Sequence, residues 1–505
     1  MARPRWHSVA VVAGLGLCSA TIGAAAGPPP PTAPRVVSLD PVSGTGLGDC
    51  GYDFPAPLGL IAGDAHPKDT AVEPRIAIDP RDPRRMATAW MQDFAGSVVV
   101  ASTVDGGRSW RRSVPPRVSS CTGSDGAAFD PGLAYDSRGS LYLSMMSHLV
   151  LMPGRTQPEN DVSVSRSDDG GRSWGDPVVV VSRDPLALND YPTITAAVDE
   201  PGHVAVSWTR VSEPLGNNSL GQFVSTSRDG GRTFSPPVRA YDAGRPFFQL
   251  LGILTAAPRR ALSLVLTVYD SGNSLPAYVE APSRVVEVRS FDSGRTWSAP
   301  ATVRDYVPAG SSADPSSGEQ VRDGTLSVAA GRDGSVTAAW LTGDAAGGPN
   351  RLAMARRTGG SARWSALAAP AVPPGTQVLL PTVAANARND LGLVWYDTRQ
   401  DVPGDDAFTA TAWFGVLRPG TSSWRTTAVA GPVDLRGAYA DARDFFPGSV
   451  SRFLGDYVGL VGNPDGFRAA LPLPRPIARL GASQLFVAAI RTAPRGHGSQ
   501  RGEGR

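Results

Sequence analysis

The chain is poor in lysine, cysteine and charge. Its 505 residues include one lysine, Lys68, and charged residues make up 19% of the total. Basic side chains are spread along the sequence rather than gathered into blocks, so residue order gives no nucleic acid or anionic membrane as a partner. His66, His148, His203 and His497 lack metal-ligand spacing, and there is no CxxC, HExxH, P-loop or GxSxG elbow. GTGLG at 44–48 has no helical pattern after it and reads as a loop. No metal and no cofactor are expected.

A transmembrane segment is also missing from this reading. The apolar run SVAVVAGLGLCSATIGAAAG follows MARPRWH and ends at Ala24-Ala25-Ala26. It is too short and Gly-rich for a membrane span and reads as a signal peptide over residues 1–26, which predicts a secreted, extracellular protein. Leu17 precedes Cys18 where a lipid anchor wants a small residue. Cleavage leaves Cys50 and Cys121, which an oxidising compartment would join as a disulfide, two buried thiols being the alternative. Losing Arg3 and Arg5 takes the formal charge from +2 to about zero.

What the chain has is Gly (57) and Pro (46) in abundance, and a repeated turn. TVDGGRSW, SDDGGRSW, SRDGGRTF and SFDSGRTW share the pattern Ser/Thr-x-Asp-x-Gly-x-Ser/Thr-Trp/Phe. Their aspartates are Asp105, Asp169, Asp229 and Asp292, spaced about 60–65 residues apart. Asp accepts hydrogen bonds from backbone N–H groups just ahead of it, Gly permits positive φ, and the aromatic residue anchors the returning strand. The pattern is therefore a hairpin turn with its own lock. Trp364 and Trp424 continue the rhythm after the turn chemistry has decayed.

Before each turn come two strand-like runs. EPRIAI, DPGLAY, DYPTIT, FFQLLGI, DGTLSV, LLPTVA and GDYVGL open the units; MATAWMQD, SLYLSMM, HVAVSWTR and LGLVWYDTR are among the second strands. Each unit reads as a four-stranded antiparallel meander. Units of this kind stacked radially make an all-β propeller, with seven blades favoured over six. The seventh unit, from about Ser451 to Ile490, lacks a fourth strand, which a strand near Val36 or Leu60 would supply. The expected organisation is a Pro-rich flexible segment at 27–34, a propeller at 35–490 and a disordered tail at 491–505, acting as a monomer.

The repeated turn resembles the Asp-box, or BNR repeat, of sialidase-like β-propellers, over nearly the whole chain beyond residue 26. In that family the box is structural and lies between the third and fourth strands of a blade. Opening strands begin, and second strands end, on the opposite face, around the channel mouth. The site is thus expected among Glu73, Arg75, Asp130, Asp190, Tyr191, Arg322, Asp323, Asp456 and Tyr457, with Asp93, Arg210, Asp270, Asp397 and Arg399.

The resemblance implies exo-acting hydrolysis of a terminal acidic sugar. Arg75-Ile76 matches the family's Arg-Ile-Pro except that Ala77 stands for the proline, and Asp93 lies near the place of its acid/base. Tyr457 with Glu319 would supply the nucleophile pair, while Arg245, Arg322 and Arg452 compete for the rest of an arginine triad. A phenolate avoids bringing a carboxylate against the substrate's own, and arginines fix that anion. A non-catalytic glycan- or protein-binding propeller is the rival reading. A two-carboxylate glycosidase drawing on Asp130, Asp190, Asp323 and Asp456 is the third.

Overall fold

The computed structural model describes residues 33–44, 50, 69–93, 96–124, 126–150, 159–197, 199–212, 219–244, 247–257, 260–270, 283–308, 312–313, 320–321, 326–343, 349–437, 440–441, 452–474 and 483–492. Seven four-stranded antiparallel sheets stand around an axis as the blades of a propeller. Blade 1 runs Ala71–Ile78, Met86–Gln92, Ser97–Thr103 and Arg111–Ser113 from the axis outward. Blade 2 (127–181), blade 3 (187–241), blade 4 (247–306), blade 5 (327–366) and blade 6 (378–434) repeat this order. The first strand of each blade touches the first strands of both neighbours, and blade 7 touches blade 1, so the ring closes.

Blade 7 takes three strands from one end of the chain, Gly459–Asn463, Gly466–Pro474 and Ser483–Arg491, and its outermost strand, Arg35–Pro41, from the other. Arg35 pairs with Arg491 and Pro41 with Phe486. The missing fourth strand is thus the one near Val36, as the sequence predicts. Cys50 and Cys121 are joined by a disulfide.

The molecule has a separate apolar cluster at each blade junction. Trp90, Val99 and Leu485 fill the junction of blades 7 and 1, Leu141 and Val100 that of blades 1 and 2, and Tyr142 with Trp208 that of blades 2 and 3. Second strands such as Met86–Gln92 and Leu391–Asp397 are buried along their whole length. A sheet covered on both faces wants continuous apolar runs, which is why MATAWMQ and LGLVWYD do not alternate. At the junction of blades 4 and 5, the Glu287 carboxylate takes Arg357 Nε and Nη2 (2.9–3.1 Å) and Trp364 Nε1 (2.9 Å).

The four Asp-Gly turns lie between third and fourth strands and share one set of bonds. Asp169 Oδ1 accepts from Ser167 Oγ (2.8 Å) and the N–H groups of Arg172 and Ser173 (2.9 Å each), while Oδ2 accepts from Ser173 Oγ (2.6 Å). Asp105, Asp229 and Asp292 do the same in their turns. The Thr296 hydroxyl and N–H, with Ser290, draw Asp292 down to about 2. Burial pushes Asp169 and Asp229 up, yet their hydrogen bonds outweigh it and bring both to about 2. Gly107, Gly171, Gly231 and Gly294 sit at φ of 76–94°, where a Cβ is strained.

One element was not foreseen. Ser312–Ala313, Gln320–Val321, Arg452–Phe453 and Ala440–Asp441 form a small extra sheet. It ties the connection between blades 4 and 5 to that between blades 6 and 7, on the face where opening strands begin. Two-residue strands carry no period in sequence, so pattern reading has nothing to detect.

Candidate functional site

The channel mouth is built by a kink that recurs in the innermost strands. Glu73, Asp130, Tyr191, Leu251 and Leu380 occupy equivalent places in blades 1, 2, 3, 4 and 6, each with φ between 48° and 61°. The strand register slips at each of them, as between Val72 and Arg75 or Asp190 and Thr193. The next residue is Pro74, Pro131, Pro192, Gly252 or Pro381, and proline suits a bulge because it has no N–H to offer the ladder. Such backbone costs roughly 1–3 kcal/mol per residue for a non-glycine, and sites of strain of this kind concentrate at functional places. The wall they make is uneven: acids and a tyrosine in blades 1 to 3, leucines in blades 4 and 6.

Six of the residues expected at the mouth come together. Arg75 Nη2 donates to Tyr191 Oη at 3.2 Å, and the guanidinium carbon lies 3.5 Å from the centroid of the Tyr457 ring. The two tyrosines meet edge to face with centroids 5.6 Å apart. Tyr191 and Tyr457 pack with Leu251 and Ile253 across the axis, so blades 1, 3, 4 and 7 share one floor. Arg75 forms no ion pair among the described residues. Its charge is answered there by aromatic faces and a phenol oxygen.

Acids close the other side. Asp456 donates its backbone N–H to Glu73 Oε1 at 3.0 Å. Gly455, at φ +112°, brings that backbone in; a Cβ there would meet Glu73 atoms at 2.9 Å. Glu73 is 2% exposed. Burial, then the charges of Asp130 and Asp456, hold its carboxyl well above the usual range. Burial and two like charges close by favour the protonated form of Glu73. Burial and the charges of Glu73 and Asp130 likewise push the Tyr457 phenol well up, Arg75 opposing.

The other expected residues are placed elsewhere. Asp93, at φ 55°, accepts from Asp69 N–H and Gln92 Nε2, both at 2.7 Å, in a network that continues through Gln92 to Trp90. Asp397 and Arg399 serve each other: Asp397 is fully buried, takes Arg399 Nε and Nη2 (2.8 and 2.6 Å) and accepts from Trp395 Nε1. Arg399 also lies 4.0 Å over Trp413. Arg210 pairs with Asp184, and Asp190 stands half-buried one residue before the Tyr191 kink. Arg245, Glu319, Arg322 and Asp323 lie outside the described residues, as do residues 1–32. Arg452 is described only as backbone, in the small extra sheet.

Glu73 is the residue whose chemical role sequence reading missed, although it was placed on the mouth. The signal was present in EPRIAI, DPGLAY, DYPTIT and LLPTVA: a recurring Xaa-Pro early in an inner strand marks the kink and so the residue it aims. Among the described residues no group of three or more His, Cys, Asp or Glu is arranged to hold a metal ion. No helix among them is long and apolar enough to cross a membrane.

No protein-family model and no curated protein matches the chain. Solved structures do. A Hadza microbial sialidase is 15% identical with a TM-score of 0.46, covering 80% of this chain and 73% of its own. A polysaccharide lyase, an ulvan lyase, is 12% identical with a TM-score of 0.48 and coverage of 83% and 94%. The α-L-arabinanase of Penicillium chrysogenum is 12% identical with a TM-score of 0.44, covering 92% of this chain and 99% of its own. At such identities and scores the similarity carries no argument about chemistry, which rests on the residues.

Proposed function

We propose that the channel mouth is a glycoside-hydrolase site for a sugar that bears an acidic group, in a secreted, carbohydrate-active propeller. The observation that carries this is Arg75: a guanidinium fixed by Tyr191 and Tyr457, without an ion-pair partner among the described residues, beside the buried Glu73 carboxyl, which burial and neighbouring acids push toward its protonated form. A planar fork of this kind holds a sugar carboxylate bidentately. Protonated Glu73 can give its proton to the leaving glycosidic oxygen as the C–O bond breaks, and Asp130 or Asp456 is at hand as the second carboxylate.

The exo-sialidase form of the reading makes Tyr457 the nucleophile. Its phenol needs a base, and with Glu73 protonated that base is Asp130, whose charge reaches the phenol, in the role that the sequence reading gives to Glu319. The Asp-box turns then serve as braces on the far face. The disulfide between Cys50 and Cys121 fits the oxidising compartment that residues 1–26 imply.

The test is hydrolysis of a fluorogenic sialoside, a fluorogenic glucuronide and a neutral galactoside by the wild-type protein, Arg75→Ala and Glu73→Gln, each checked for fold by circular dichroism. The expected result is turnover of an acidic substrate alone, reduced on the order of a hundredfold or more in both variants. Absence of turnover on both acidic substrates, or turnover that ignores the two substitutions, overturns the reading.

A further inference from the structure

The arginines that are scattered in sequence are gathered in space. Antiparallel order puts the first-to-second and third-to-fourth turns of each blade on the face away from the channel mouth. Those turns carry DPRDPRR, DSRGS, SRDGGRTF, GRDG and RRTGGSARW. Each of the four locked turns sets an arginine at the same place: Arg108, Arg172, Arg232 and Arg295, all exposed. Arg138 in blade 2 and Arg363 in blade 5 extend the arc, also exposed. None of these six forms an ion pair among the described residues, whereas Arg81, Arg84, Arg166 and Arg356 on the same face are paired with Asp79, Asp82, Asp168 and Asp333.

Two further features make the arc a binding surface rather than a solvated rim. The turns are rigid, because every oxygen of their aspartates is held by the turn itself, so the guanidinium groups project from fixed backbone. Arg232 Nη1 and Arg295 Nε are also tethered to the carbonyls of Asp229 and Asp292, which sets their direction (2.7 and 3.1 Å). Arginine is the side chain that grips sulfate and carboxylate groups in a fork.

We propose that this face binds a linear anionic polysaccharide, its sulfate or uronate groups reaching the arginines of blades 1 to 5. Insertion into a lipid surface would need several large apolar side chains beside the charge. Phe291, 65% exposed and stacked with Arg289, is the one large aromatic residue exposed on the described part of this face. Binding here leaves the channel mouth free on the opposite side, and the proposal stands whether or not the mouth is catalytic.

The experiment uses the full chain with immobilised heparin as the polyanion, and compares wild type with Arg108→Glu/Arg172→Glu/Arg232→Glu. A second triple variant with Gln at the same positions covers the case in which reversed charge harms folding. The expected result is binding that weakens with rising salt and is at least about tenfold weaker in both variants at unchanged thermal midpoint. Heparin binding that ignores the substitutions overturns the proposal. So does binding to phosphatidylserine-containing vesicles with none to heparin, which would make the partner a membrane.

Discussion

The two faces of the propeller use aspartate in opposite ways. On the turn face Asp169 has every acceptor filled by its own turn and is easy to ionise; at the mouth Glu73 is buried beside the charges of Asp130 and Asp456, and Glu73 and Asp130 are set on kinked backbone. A carboxylate with all its bonds made is a structural part. A carboxyl buried beside like charges lowers the stability of the fold, and proteins keep such groups where chemistry needs them. The difference teaches that burial beside like charge, more than residue type, separates site from brace in this molecule.

Breaking that comparison starts at the mouth. Glu73→Gln keeps the shape and hydrogen-bonding capacity of the protonated acid while removing its proton donor. Turnover should fall by about two to four orders of magnitude with the chemical-denaturation midpoint unchanged or higher. A loss of stability equal to the loss of activity would return Glu73 to the structural class.

On the other face the expectation is reversed. Asp169→Ala strands the Ser167 and Ser173 hydroxyls and two N–H groups, and should lower stability by about 1–3 kcal/mol in urea titrations while kcat/KM stays within about twofold. An equal fall in turnover would show that the faces are not separable.

The smallest effect sharpens the contrast through pH. Asp169, Asp229 and Asp292 have folded-state values near 2, below the unfolded value, so their stabilisation is complete above about pH 4 and disappears as pH falls toward 2. Glu73 is shifted the other way. Between the ordinary glutamate value and its own raised one the folded state holds the extra proton, so stability declines as pH rises through that window. Thermal midpoints measured against pH should therefore show a shallower acid-side slope in Asp169→Ala, with Asp229 and Asp292 still contributing, and lose the rising-pH decline in Glu73→Gln. Identical profiles for the two variants would contradict the assignment.

The blades were legible because they repeat. An Asp-Gly turn that ends in an aromatic residue recurs at a fixed spacing, and second strands buried on both sides leave unbroken apolar runs. The place of the mouth followed from the same topology, and it brought Arg75, Tyr191 and Tyr457 within reach of each other, as expected. Roles within it were less legible. Whether Asp397 answers a ligand or Arg399, and whether Tyr457 looks to Asp130 or Glu319, depends on contacts between strands hundreds of residues apart, which spacing along one chain does not encode. The same holds for the arginine arc, dispersed in sequence and assembled only when the turns align.

The closure of blade 7 has a consequence for how the protein is made. Arg35–Pro41 leaves the ribosome before the first blade, yet its partner strand, Ser483–Arg491, leaves only after the sixth blade. Until then the ring has an open seam, with the edge of its last sheet unpaired and the inner strands of blades 1 and 7 apart. Closure of the ring is thus delayed until strands from all seven blades have been released, so the first blades must persist with an open seam while the later ones are made.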